Sequence, residues 1–228
     1  MKPLLLKQQD TDSLQNLGRA SVQIVHDLKN QLNGLKLYAT FLRKRMEKDL
    51  RAADEMETVN KLIAGLDRAA SDLSTIVQYG RPLELKKQPG VDVQKIMRAI
   101  AATFSEPAPA GGGSNGLTIS QTDALPMAGD FDPTVLAEAL QSISTAAVKM
   151  GRAEDRPVNV SLKRAIFESE KTAIIEWHGL KNLAPDPFSS FVGGDGIRMS
   201  LAAKVIEGHG GAAEHEEGIL RVRLPISS

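Results

Sequence analysis

Three polar residues near the start of the chain, His26, Asp27 and Asn30, have types and spacing that suit nucleophilic or acid–base chemistry. Asn30 follows His26 by four residues, so in a helix the two side chains lie on the same face, one turn apart. The carboxylate of Asp27 is adjacent and can reach an imidazole nitrogen. A carboxylate that hydrogen-bonds one ring nitrogen fixes the tautomer and makes the other nitrogen a better nucleophile. The trio therefore predicts a nucleophile, an acid–base group and an amide on one helical face.

The residues around this trio follow a heptad pattern that predicts a long helix. Its stripe runs through Leu14, Leu17, Ser21, Ile24, Leu28, Gln31, Leu35, Tyr38 and Leu42. Alternating steps of three and four residues are typical of a helix-packing seam. His26 is two residues from both Ile24 and Leu28, about 200° from either at about 100° per residue. We therefore expect His26 to face solvent.

A second seam predicts a second helix. It runs through Met56, Val59, Ile63, Leu66, Ala70, Leu73 and Val77, and the sequence Gly80-Arg81-Pro82 ends it. The charged stretch 47–55 between the two seams predicts a turn, so the helices are expected to form an antiparallel hairpin. One hairpin cannot bury both of its apolar faces. We therefore expect two copies to pair as a four-helix bundle, which makes the protein a homodimer.

After Pro82 the pattern changes to that of a mixed α+β domain, which gives two expected domains, 1–82 and 83–228. Strands are expected at 83–85, 117–120, 158–162, 173–177 and 219–224, and helices at 93–104, 133–150 and 197–208. Asp132 is expected to cap the helix that Pro133 begins.

The composition excludes several classes of protein. The 28 Lys and Arg residues balance the 28 Asp and Glu residues, which removes the electrostatic case for binding nucleic acid or an anionic membrane. The absence of cysteine excludes disulfides, thiol catalysis and zinc–thiolate sites. No stretch approaches the roughly 20 apolar residues of a spanning helix, and the apolar start is too short for a signal peptide. We therefore expect a cytoplasmic protein without membrane insertion.

The segment Val25 to Leu32, which reads VHDLKNQL, resembles the H-box of sensor histidine kinases. In that family a histidine followed by an acidic residue, with Asn or Thr four places after it, lies on the first helix of a dimerising hairpin. The resemblance implies that His26 is phosphorylated, that Asp27 acts as a base and that Asn30 positions water for phosphatase activity. The alternative interpretation is a surface histidine on a coiled coil, beside ordinary polar residues.

The second half of the chain is similar to the ATP-binding domain of the same kinases. The residues Gly194, Gly196 and Arg198, followed by a helix, resemble the second glycine box and imply a nucleotide-binding loop. The segment Asp186 to Phe191 resembles the F-box. The resemblance covers nearly the whole chain with the boxes in the correct order, and it implies an α/β-sandwich ATPase-like domain.

Several residues depart from the family pattern where nucleotide should bind. Ala146 stands in place of the Asn that binds magnesium, and alanine has no ligand atom. Trp177 stands in place of the Asp that recognises adenine, and an indole can donate a hydrogen bond but not accept one. Lys181 and Arg198 each replace a glycine of the two glycine boxes. The domain is therefore expected to have lost ATP hydrolysis.

These departures predict neither a resident metal nor a resident cofactor. ATP and magnesium are expected only if the motif registers are wrong, in which case Asp195 and Glu138 are candidate metal ligands. The spacing of His178, His209 and His215 suggests no metal site, and we assign them no catalytic role.

A histidine-bearing hairpin joined to a disabled ATPase-like domain resembles the bacterial histidine phosphotransferases that evolved from kinases. The resemblance implies that His26 takes phosphate from one response-regulator receiver domain and gives it to another, without ATP. The receiver would dock on the face that carries Lys29, Asn33 and Lys36. Two alternatives stay open. One is an active soluble histidine kinase with a divergent ATP site, and the other is a non-catalytic pseudokinase scaffold that binds a response regulator.

Overall fold

A computed structural model describes residues 25, 28–47, 53–104, 116–122, 125–152, 158–167, 170–180, 186–190 and 193–227. The chain divides into two compact units, Met1–Pro82 and Leu83–Ser228. The described part of the first unit is helical, whereas the second combines helices with two sheets, which confirms the predicted α+β class. Most of the turn predicted between the first two helices falls on residues 48–52, outside the described residues. Among the described helices, none combines the length and the apolar character needed to cross a membrane.

The described part of the first unit contains a pair of helices. Helix α1 covers residues 28–47, and α2 covers Ala53–Gly80. Ala39 of α1 is only 3 % exposed, and Lys36 Nζ lies 2.6 Å from Asp67 Oδ1 of α2. This side of α1 therefore faces α2. The second helix ends at Gly80 as predicted, since Pro82 has no amide hydrogen to continue it.

The apolar seam predicted on α1 is exposed in the single chain. Its members Leu28, Leu35, Tyr38 and Leu42 are 43, 54, 68 and 55 % exposed. The side of α1 that is turned towards α2 passes instead through Ala39, which lies on a neighbouring helical face. The hairpin thus buries one face of α1 and leaves a second, apolar face in contact with water.

The second unit contains seven strands and three helices among the residues that the structure describes. In chain order they are β1 (Gln88–Asp92), α3 (Val93–Thr103), β2 (Leu117–Thr122), β3 (Ala128–Phe131), α4 (Pro133–Arg152), β4 (Val158–Phe167), β5 (Glu170–His178), α5 (Gly193–Gly208), β6 (Ala212–Glu216) and β7 (Ile219–Pro225). The main sheet has the order β2-β4-β5-β7-β6, with β2 parallel to β4 and the other neighbours antiparallel. Strands β1 and β3 form a separate antiparallel pair.

One face of the main sheet and the three helices share a single apolar core. Alternate residues along the central strands point into it, as the pleat of a strand requires. The fully or almost fully buried members include Val160, Leu162, Ile175, Trp177, Val222, Leu140, Ile143, Met199 and Ile206. The second unit is therefore a two-layer α/β sandwich.

The opposite face of the sheet is polar and centres on Glu176, which is 6 % exposed. Its carboxylate accepts hydrogen bonds of 2.8 Å from Lys163 Nζ and from Arg221 Nε. Burial opposes ionisation, but the hydrogen bonds from these two cations outweigh it and lower the pKa of Glu176 to about 2. Ser161 Oγ lies 3.1 Å from His178 Nε2 beside them. A buried carboxylate on this face is thus ionised and paired by cations of the neighbouring strands.

The strand predicted at 83–85 is irregular backbone, and β1 begins only at Gln88. The Lys86 amide donates to Asp132 Oδ2 at 2.8 Å, and Leu83 packs against Gly208, where a Cβ atom would collide with it. Side-chain contacts, rather than a strand ladder, therefore hold this segment. Strands β1, β3 and β6 were not predicted from the sequence.

Asp132 and His209 connect the start of α4 to the end of α5. Asp132 Oδ1 accepts from the amides of Thr134 and Val135, both at 3.1 Å, which confirms the predicted cap. His209 is 2 % exposed. Its Nδ1 lies 2.8 Å from the Val205 carbonyl, and its Nε2 accepts from the Asp132 amide at 3.0 Å. Only the neutral imidazole with hydrogen on Nδ1 satisfies both contacts, and burial lowers the pKa of His209.

We expect the free energy of unfolding to decrease as the pH falls below about 6.5. Because His209 has a lower pKa in the folded chain, the unfolded chain takes up its proton first. The stabilisation is complete above the ordinary pKa of 6.5 and is lost as the pH falls towards the lower folded value. Asp132, whose ordinary pKa is 3.8 and is lowered by hydrogen bonds from the Lys86 and Val135 amides, acts only at more acidic pH. Urea unfolding at a series of pH values measures the effect.

The matched variant is His209→Gln, which can keep one hydrogen bond but cannot take up a proton near neutrality. We expect it to be less stable at neutral pH and to have a flatter dependence on pH between about 7.5 and 5.5. A variant whose stability falls with pH as steeply as that of the wild type would rule out His209 as the group responsible.

Candidate functional site

The predicted phosphoacceptor segment lies at the beginning of the described part of α1. His26 and Asp27 are outside the described residues, while Val25 and residues 28–47 are helical. Asn30 and Asn33 are exposed. They occupy the fourth and seventh positions after His26, which a continuous helix places on the same face. The prediction that His26 faces solvent beside these amides stays a prediction.

The two lysines predicted beside this face are less exposed than the two asparagines. Lys29 and Lys36 are partly buried, and Lys36 is paired with Asp67. Both side chains of that pair are about half exposed, at 43 and 50 %, so the pair contributes little to stability. The structure thus places Asn30 and Asn33 on one exposed face of α1 and Lys36 on the side next to α2, and Lys29, seven residues before Lys36, shares the helical face of Lys36.

Leu37 is an exposed apolar residue on the same face of α1 as Asn30 and Asn33, the predicted His26 face, and the sequence analysis did not select it. It is 55 % exposed. It follows His26 by eleven residues, which returns a helix to within about 20° of the same direction. The signal was present in the sequence as the series 26, 30, 33, 37. Leu37 was not selected because it lies outside the heptad seam to which the apolar residues of this helix were assigned.

Trp177 of β5 fills the space between the sheet and α4. Its exposure is 0 %, and its Nε1 donates a hydrogen bond of 3.1 Å to Ser144 Oγ of α4. Ala146, on the same helix, is 6 % exposed and belongs to the same core. Trp177 and Ala146, which the sequence resemblance predicts to stand in place of the adenine-binding Asp and the magnesium-binding Asn, are therefore both parts of the apolar core.

The glycine-rich start of α5 packs tightly against the segment before it. Gly194 and Gly196 lie in its first turn. A Cβ atom at Gly196 would lie 2.8 Å from the Ser190 carbonyl oxygen, so only glycine fits there. Ser200 Oγ donates to the same oxygen at 3.0 Å. Gly196 is thus required by packing, whatever the site binds.

Asp195, in the first turn of α5, attracts two cationic side chains. Lys149 Nζ of α4 lies 2.9 Å from both carboxylate oxygens, and Arg198 Nη1 lies 3.4 Å from Oδ1. Among the described residues, no group of three or more His, Asp or Glu side chains is arranged to hold a metal ion. The alternative ligand Glu138 is exposed on α4. Asp195 is therefore engaged with cations of the chain itself.

Comparison with known proteins identifies the fold. No protein-family model and no curated protein matches the chain. Among solved structures, full-length ShkA in complex with AMPPNP superposes with a TM-score of 0.62 at 19 % identity, covering 92 % of this chain and 46 % of ShkA. The chain thus spans less than half of ShkA.

Two further solved structures match over more of their length. The Acinetobacter baumannii histidine kinase AdeS gives a TM-score of 0.56 at 12 % identity, covering 85 % of this chain and 96 % of AdeS. Histidine kinase ThkA, solved in complex with the response regulator TrrA, gives 0.55 at 15 % identity, covering 100 % of this chain and 68 % of ThkA. The chain therefore has a fold like the transmitter core of histidine kinases, a helical unit followed by an ATPase-like α/β unit.

Proposed function

We propose that this protein is a cytoplasmic histidine phosphotransferase of a two-component phosphorelay. A nitrogen of His26 attacks the phosphorus of an aspartyl phosphate on one receiver domain, forming a P–N bond while the aspartate leaves as a carboxylate. The reverse reaction on a second receiver returns the group to an aspartate. Asp27 holds the imidazole tautomer that leaves the attacking nitrogen unprotonated. The chain needs no ATP for either step, since each phosphoryl group enters and leaves through a receiver.

The observation that carries this proposal is the burial of Trp177. A kinase must accept a hydrogen bond from adenine, coordinate magnesium and leave room for the nucleotide. Trp177 has no acceptor atom, and its single donor is used by Ser144. The side chain of Ala146 offers no oxygen to magnesium. A working kinase would need these functions from other residues.

The exposed His26 face of α1 suits a receiver domain as partner. Asn30 and Asn33 supply amide groups, Leu37 supplies apolar area, and Lys29 and Lys36 border the face on the side of α2. A mixed surface of this kind is typical of transient interfaces, in which a small apolar centre is bordered by polar groups. ThkA was solved with a response regulator, and we propose a partner of the same class for this chain.

The exposed seam on α1 supports a homodimer as the active form. Leu28, Leu35, Tyr38 and Leu42 form a stripe of apolar side chains, each 43 % exposed or more. A stripe with heptad spacing is buried most simply by the same stripe of a second copy, which completes a four-helix bundle. We therefore propose that two hairpins pair through this seam.

We expect the protein to take up phosphate from a receiver and not from ATP. The purified chain is incubated either with magnesium and γ-labelled ATP, or with each receiver domain of its own genome charged from labelled acetyl phosphate. The proposal requires acid-labile label on the chain in the second reaction alone. His26→Ala should abolish it, because the proposal assigns the transfer of the phosphoryl group to His26 alone.

The controls separate the three alternatives. Label from ATP on the wild type, absent in His26→Ala, would identify an active kinase and refute the phosphotransferase. Receiver binding that is unchanged by His26→Ala, without transfer from any receiver, would identify a scaffold. Asn33→Asp tests docking separately, since it should slow transfer while leaving His26 able to react.

We expect Leu35→Asp to dissociate the dimer. Each protomer loses the burial of one leucine, about 1.5–3 kcal/mol, so the dissociation constant should rise by about two to four orders of magnitude. Light scattering over a concentration series measures the mass. Lys44→Asp, an exposed position outside the seam on the same helix, is the matched control and should leave the dimer intact. Equal mass for the wild type and Leu35→Asp at every concentration would contradict the proposal that two copies pair through the seam.

A further inference from the structure

Three charged side chains from two helices converge at the start of α5. Lys149 comes from the last turns of α4, and Asp195 and Arg198 come from the first turns of α5. Lys149 Nζ is equidistant, at 2.9 Å, from both oxygens of Asp195, and Arg198 Nη1 approaches one of them at 3.4 Å. Lys149 and Asp195 are 46 residues apart in the chain, so folding brings them together.

The carboxylate of Asp195 occupies a position that favours anions for two independent reasons. The free amides and the macrodipole at a helix N-terminus attract negative charge. An ammonium and a guanidinium add charge-assisted hydrogen bonds of the kind that hold phosphate oxygens. Here the negative charge is supplied by the chain itself, so both cations are already neutralised in part.

We propose that Asp195 is an autoinhibitory internal anion, whose carboxylate competes with phosphate-bearing ligands for Lys149 and Arg198. This inference rests on the proposed function and deepens it, because it gives a second, electrostatic reason for the chain not to bind nucleotide. Trp177 excludes the adenine base because its indole fills the space between β5 and α4. Asp195 opposes phosphate binding because its carboxylate pairs with Lys149 and Arg198. The ion-pair cluster is open to solvent, since the side chains of Lys149, Asp195 and Arg198 are 56, 54 and 34 % exposed.

The cluster of Lys149, Asp195 and Arg198 is exposed, so a ligand in solution can reach it. A phosphate can approach the cluster without displacing the core, and the charge of the Asp195 carboxylate opposes its binding. Asp195→Asn keeps the shape of the side chain and removes that charge. Lys149 then loses its carboxylate partner, and the site gains one unit of positive charge.

The experiment is calorimetric titration with inorganic pyrophosphate at low ionic strength. We expect Asp195→Asn to bind pyrophosphate at least about tenfold more tightly than the wild type, and added salt to reduce the gain. The double variant Lys149→Gln with Asp195→Asn should lose the gain. The control Asp130→Asn removes the same charge from an exposed position on β3 and should bind as the wild type does. Circular dichroism checks that every variant is folded.

Two results would overturn the inference: equal binding by Asp195→Asn and the wild type, or an equal gain in Asp130→Asn, which would indicate net charge alone. Neither result affects the phosphotransferase proposal, which fails instead if the wild type transfers phosphate from ATP to His26. The two failures are therefore distinguishable.

Discussion

The packing of the indole of Trp177 between β5 and α4 is the interaction on which the core of the second unit most depends. It is completely buried between β5 and α4, and its N–H is satisfied by Ser144 across that boundary. A buried aromatic of this size contributes about 3–5 kcal/mol relative to alanine, and an unpaired indole N–H in the same place would cost part of that gain. The space between this strand and this helix is therefore filled and hydrogen-bonded from within, and a ligand can enter it only by disrupting the core.

The two units therefore have different roles in the proposal. The second unit has a fold like that of a histidine-kinase ATPase domain, and under the proposal core packing and internal ion pairs occupy the positions that the sequence resemblance assigns to nucleotide and metal. The first unit carries the exposed groups that the proposal uses. These are the amides of Asn30 and Asn33 on the predicted His26 face and the apolar seam of α1, which suits a second copy. In the proposed phosphorelay the hairpin carries the reaction, and the second unit has a structural or docking role. The buried and paired Glu176 and His209 fit a structural role, because each satisfies groups from several elements.

The sequence predicts those parts of the fold whose signals are local. Asp132 followed by Pro133 identifies the start of α4, and Gly80 with Pro82 identifies the end of α2. Strand β6 could not be predicted in this way, because its sequence AAEHE has little strand propensity and owes its conformation to pairing with β7. The departures of Ala146 and Trp177 from the kinase pattern can be seen in the sequence. The pairing of Lys149 with Asp195 cannot be seen there, since it joins residues 46 positions apart and depends on how α4 packs against α5.

Trp177 is the only tryptophan in the chain, so its fluorescence reports directly on the central claim. The measurement is a titration of the wild type with magnesium and ATP into the millimolar range, following the emission maximum and quenching by acrylamide. The structure predicts a blue-shifted emission that acrylamide barely quenches and that nucleotide leaves unchanged. A saturable change in the emission with ATP, together with easier quenching, would show that the indole leaves the core to admit nucleotide. That result would contradict the account of an ATP-independent phosphotransferase.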